Sequence, residues 1–216
     1  MAAVFVFACC ACTLQSEDAQ KELTAPILTV NGEKVSNAEY AYFYKIVRSE
    51  IITEYAEKYA VTEFTAFWDT EFDGRTPAEE LEKRTADRCI RAKIELLLCR
   101  ENGIYNDISF EGLKTKAEAF NAENENQSGV VGLTGISMNT FYTYYIETGV
   151  MELKNRLEKD VLNPTEAEIQ AQMDNLSAEV KTNLPAEELR NYAFDKAVNE
   201  KYENLISEKI SEAEIL

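Results

Sequence analysis

The side chains here that could do chemistry are five cysteines and several clustered carboxylates, because the 216-residue chain contains no histidine. That absence removes the commonest general base, the usual proton shuttle and the commonest zinc ligand together. Ser-His-Asp, Cys-His and histidine-ligated metalloprotease chemistries are excluded in their ordinary forms. The carboxylate groups Glu79/Glu80/Glu82 and Glu166/Glu168 fall at the starts of predicted helices. Negative charge there complements the positive end of the helix dipole, a reading that takes precedence over paired-carboxylate catalysis. Gly129-Val-Val-Gly132 lacks both the lysine and the strand-to-helix setting of a phosphate loop. The sequence therefore offers no catalytic residue and no metal ligand, and no cofactor is expected.

The cysteines divide into two sets. Cys89 and Cys99 lie ten positions apart in one predicted helix, about 15 Å along its axis and beyond disulfide reach, so they read as small buried apolar groups. Cys9, Cys10 and Cys12 end the apolar run MAAVFVFACCAC of residues 1–12. The run is too short to span a bilayer. Its apolar stretch and small residues look like the end of a secretory signal, and the missing positive segment implies a longer leader. Small residues leading into a cysteine resemble a bacterial lipobox. Cys12, preceded by Ala11 and followed by a polar run, fits best as the acylated residue; Cys9, with Val6 and Ala8 before it, is the alternative. The competing reading is an ordinary apolar tail. Residues 13–25 read as a polar tether.

Composition supports a folded chain: 45% apolar residues are enough for a core, at 28% charged. A net charge of −17 repels phosphate backbones, so nucleic acid is not an expected partner.

The elements that must position any functional group are mostly helices. Asn31-Gly32 between short β-formers predicts a hairpin. Ser36 with Glu39 predicts a capping box opening a helix to about Tyr59, with Tyr40, Phe43, Tyr44, Val47, Ile51 and Tyr55 on its apolar face. A break follows, rich in Phe64, Phe67, Trp68 and Phe72 and closed by Asp73-Gly74. Thr76-Pro77 begins a long helix to about Glu101, with Ile90, Ile94, Leu97 and Leu98 on one face, stopped at Asn102-Gly103. A shorter helix, weakened by Gly112, spans about Ser109 to Asn124, and a glycine-containing loop leads to Gly135. Two further helices are expected over Ser137–Glu147 and Val150–Leu162. Another opens at Pro164-Thr165 and runs to about Ala178. Pro185 introduces the last helix, with Leu189, Phe194, Val198, Tyr202, Leu205 and Ile210 on its core face, and Ala213–Leu216 reads as a short final strand.

The order of these pieces resembles the N-terminal domain of the SurA/PrsA-type chaperone-foldases, the trigger factor/SurA peptide-binding-like domain. The matching stretches are Val30-Asn-Gly-Glu-Lys-Val35-Ser36, Phe67-Trp68 with Phe72-Asp-Gly-Arg-Thr76, Glu101-Asn-Gly-Ile104, Pro164-Thr-Glu-Ala-Glu168-Ile169 and Lys201 to Leu216. The resemblance implies one mostly α domain over residues 26–216, with a small N-terminal β-hairpin, closed by the C-terminal helix and final strand. In that family a parvulin isomerase domain usually precedes the last helix. Here a short linker, Ala178 to Leu184, stands in its place, so isomerase activity is not carried over.

The implied function is a lipid-anchored chaperone or foldase-like protein on the extracytoplasmic face of a bacterial membrane, binding unfolded or exported polypeptides without catalysis. Two alternatives stay open: peptidyl-prolyl isomerisation by an unrecognised site, and a structural or adaptor lipoprotein gripping one specific partner. Client-binding candidates are Phe67, Trp68, Phe72, Tyr142 and Tyr144. Phe141 and Tyr145, four apart, are expected to face inward, leaving Tyr142 exposed. The competing reading places such aromatics in the core, with Trp68 plugging the break onto it.

Overall fold

In the computed structural model the structure describes residues 26–125, 135–176, 180 and 183–216. The lipidation candidates Cys12 and Cys9 and the tether lie outside the described residues, as does most of the glycine-containing loop. The fold is mostly helical with a two-stranded antiparallel hairpin. It divides into two compact units, one running to Cys89 and including Ile215–Leu216, the other Ile90–Glu214.

In the first unit, β1 (Pro26–Val30) pairs with β2 (Glu33–Ser36) across Asn31-Gly32, whose φ values of 49° and 79° are those of the tight turn that matches strand twist. Ser36 then caps α1 (Asn37–Tyr59) through a full capping box: its hydroxyl accepts from Glu39 N–H, and the Glu39 carboxylate accepts from Ser36 N–H at 3.0 Å. The buried face of α1 is Glu39, Tyr42, Phe43, Val47, Ile51 and Tyr55. It is rotated from the expected one, since Tyr40 is half-buried and Tyr44 exposed, while Tyr42 is covered. Asp73-Gly74 makes a second tight turn, with Phe72 and Arg75 exchanging both backbone hydrogen bonds at 2.8 and 3.1 Å. Thr76 and Glu79 then bond reciprocally at the start of α2 (Pro77–Glu101).

The unit boundary falls within α2. Its second half is buried on every side from Ala92 to Cys99, including Lys93 and Glu95, rather than on one apolar face. It ends in a Schellman motif: Ile104 N–H reaches Cys99 C=O at 2.8 Å and Gly103, at φ 68°, reaches Arg100 C=O at 3.0 Å.

In the second unit, α3 (Phe110–Glu125) packs against α4 (Met138–Leu157), and α5 (Glu166–Asp174) against α6 (Ala186–Glu212). Gly112 does not merely weaken α3, because a Cβ there would lie 2.0 Å from Asp107 Oδ2. The two helices expected after Ser137 are one. Gly149 continues α4 without a break, and the close approach of Tyr105 to that glycine explains its presence better than a helix end does. Thr165 and Glu168 form a capping box at α5. The buried face of α6 is Ala193, Ala197, Val198, Tyr202 and Ile206; Leu189, Phe194, Leu205 and Ile210 are half-buried. Two small alanines let a helix approach its neighbour closely, which a face of large side chains prevents. The expected final strand reduces to one bridge in the first unit, Val30 to Ile215.

Candidate functional site

The break after α1 gathers three of the five predicted site residues. Phe67 opens a single 3₁₀ turn (Phe67–Asp69) and is 3% exposed. It meets Tyr55, Phe64 and Trp68 edge-on, with ring centroids 5.6, 5.3 and 4.9 Å apart. Phe72 stands perpendicular to Tyr55 at 5.2 Å and tilted against Tyr59 at 4.8 Å. Val47, Ile51 and Leu81 complete this core, with Trp68 and Phe72 partly buried against it. Each edge-to-face pair adds about 0.5–1.5 kcal/mol beyond area burial, so the cluster fastens the break to α1 and α2.

The break is also fixed from outside. Tyr59 Oη donates to Asp73 Oδ2 at 2.6 Å and Lys58 Nζ to the same oxygen at 3.0 Å, and these bonds hold the Asp73 carboxyl below its usual range. Arg48 lies over the Trp68 ring, 5.0 Å from its centroid. What remains accessible is Phe64, 40% exposed, beside half-buried Trp68 and Phe72. Phe67 is therefore the foundation of the surface and not a part of it. Trp68 packs onto the core as the plug reading expects, and it is only partly buried there.

The other two candidates lie in the second unit and separate. Tyr142, expected at the surface, is 1% exposed and stands edge-on to Phe110 at 5.6 Å, because α3 covers the face of α4 that carries it. Tyr144 is 59% exposed. Phe141 and Tyr145 face inward as expected. Tyr145 stacks on Tyr105 with centroids 3.8 Å apart, and Tyr105 Oη donates to the Tyr145 carbonyl at 2.8 Å. Sequence reading missed Tyr105; its partner is forty positions away, and its only local signal is that it follows a helix stop.

Several titratable groups with displaced pKa values also sit in this unit. Burial raises Glu95, and its Oε1 accepts from Arg91 Nε at 3.0 Å and Tyr202 Oη at 3.2 Å. Arg91 also forks onto Glu203 at 2.7 and 2.8 Å, which lowers the Glu203 carboxyl. Lys154 Nζ lies 4.4 Å from the Tyr202 centroid and donates to Asn199 at 2.8 Å. Burial pushes the Cys99 thiol up to about 12, so it is protonated at neutral pH and a poor nucleophile. Cys89 is likewise buried, and it forms no disulfide among the described residues.

The pH behaviour of this arrangement is testable. A carboxyl whose pKa is raised on folding contributes fully below the ordinary glutamate value of about 4.3 and loses that contribution as pH rises through its folded value. Glu203 runs the opposite way, stabilising above the ordinary range and losing that as pH falls. Glu95→Gln keeps an acceptor for Tyr202 while removing the buried charge. Its melting temperature is expected to exceed that of the parent by a few degrees near pH 8, the gap closing towards pH 4. A gap that is constant across that range in thermal unfolding would show that Glu95 does not titrate as described.

Among the described residues no helix is long and apolar enough to cross a membrane. No protein-family model, no curated protein and no solved structure matches the chain.

Proposed function

We propose that the chain is a non-catalytic chaperone of the SurA/PrsA N-terminal type, tethered by a lipid at the extracytoplasmic face of a bacterial membrane and holding unfolded or exported polypeptides. The observation that carries this reading is the aromatic ledge of the break after α1: Phe64 open to solvent, Trp68 and Phe72 half-open, all resting on the buried ring of Phe67. Aromatic rings offer large contact area at little entropic cost, which suits clients with no fixed shape. The histidine-free sequence supports the non-catalytic half.

Suppression of aggregation of several unrelated, chemically unfolded proteins tests it. The intact chain is expected to reduce light scattering at near-stoichiometric ratios, and Phe64→Ser to lose most of that effect while its melting temperature falls by only a few degrees. Tight binding to one folded partner with no suppression would support the adaptor reading. Acceleration of proline isomerisation in a peptide assay would support the isomerase.

The tether has its own test. A fatty-acid label is expected on the protein in a bacterial host that processes lipoproteins, and to vanish in Cys12→Ser; loss in Cys9→Ser instead would move the site. No label in either would remove the anchor from the proposal.

A further inference from the structure

The outer edge of β1 is held by the chain's own residues 215 and 216, and the way they are held is unspecific. Thr29 exchanges two backbone hydrogen bonds with Leu216, N–H to C=O at 2.8 Å and C=O to N–H at 3.2 Å, and Val30 faces Ile215 in one isolated antiparallel bridge. The side chains contribute little to this grip: Ile215 is 43% exposed and Leu216 77%. By contrast β1 is paired with β2 along its length, from Pro26 opposite Ser36 to Val30 opposite Glu33, which ties the strand down independently of the tail. β1 is five residues long, more edge than a single bridge uses.

An edge read through main-chain groups accepts any extended segment, since backbone donors and acceptors are the same in every sequence. We propose that the β1 edge is a strand-exchange site: residues 213–216 act as a displaceable strap, and an extended stretch of another, unfolded polypeptide adds to the hairpin in their place. Being part of the same chain, the strap competes at high effective concentration, so binding is weak until the strap is displaced or removed. This goes beyond the aromatic ledge and involves none of its residues, so the two can fail separately.

The test uses the full chain, a variant ending at Glu212, and Leu216→Pro, which removes one donor and keeps the segment. The probe is a fluorescent peptide of alternating threonine and valine with a lysine at each end, read by anisotropy. Both variants are expected to keep the parent's circular dichroism and to bind the probe at least about tenfold more tightly than the parent. A probe with alternate backbone nitrogens methylated is expected not to bind. Equal affinity of parent and folded variants, or binding of the methylated probe, would overturn the proposal. So would a concentration-dependent dimer of the variants that excludes the probe, which would assign the edge to a second copy. Should truncation unfold the chain, Leu216→Pro decides.

Discussion

Replacing Phe67 by alanine is expected to cost about 3–5 kcal/mol of stability, the range for deleting a buried aromatic ring. Phe67 is 3% exposed and touches Tyr55, Phe64, Trp68 and Phe72, so no single neighbour can collapse into the space it leaves. The cost falls on the break as well as on the core, because Ala66 gives the 3₁₀ turn no N-cap side chain and only Thr70, donating to the Ala66 carbonyl at 2.8 Å, braces it. Phe64→Ala is the matched control. Two-fifths exposed, at the edge of the same cluster, it is expected to change stability by less than about 1 kcal/mol while weakening client binding. Urea denaturation of the two variants beside an aggregation assay separates the roles. Equal destabilisation by both would mean that the ledge is all core and has no exposed working surface.

Gly149→Ala is expected to destabilise by about 1–3 kcal/mol, although the same change in the middle of an ordinary helix stabilises by about 1 kcal/mol. The added methyl would lie 2.6 Å from Tyr105 Cε2 and 3.1 Å from both Cys99 Sγ and Tyr105 Oη. Neither neighbour can move freely. Tyr105 is stacked on Tyr145 and bonded to its carbonyl, and Cys99 is fully buried in α2. Thermal unfolding of Gly149→Ala beside the double variant Gly149→Ala/Tyr105→Leu checks the mechanism. Removing the ring plane is expected to recover part of the loss. A stabilised single variant would show that the helix tolerates the methyl and that Gly149 has no packing role.

The same contrast runs through the rest of the fold. The capping box Ser36/Glu39, the helix starts at Thr76 and Thr165, the turns at Asn31-Gly32 and Asp73-Gly74, and the stop at Asn102-Gly103 all stand where local reading placed them. Each rests on a donor, an acceptor or a positive φ within four residues, and such contacts are written in the order of the chain. The reading erred where identity and spacing had to stand in for neighbours. Residues 137–162 read as two helices where one runs through Gly149, and Tyr142 looked exposed because Phe141 and Tyr145 already filled one face.

Of the candidate site, the local sequence determined that aromatics crowd the break after α1 and that no histidine chemistry is available anywhere. Only the tertiary structure decided which rings support and which are open: Phe67 and Tyr142 inside, Phe64 and Tyr144 outside. It likewise decided that Glu95 carries a buried carboxyl between Arg91 and Tyr202. A side chain's exposure and its pKa depend on what other segments bring against it, across separations such as the 107 positions between Glu95 and Tyr202. Helix periodicity says which residues share a face; it does not say which face will be covered.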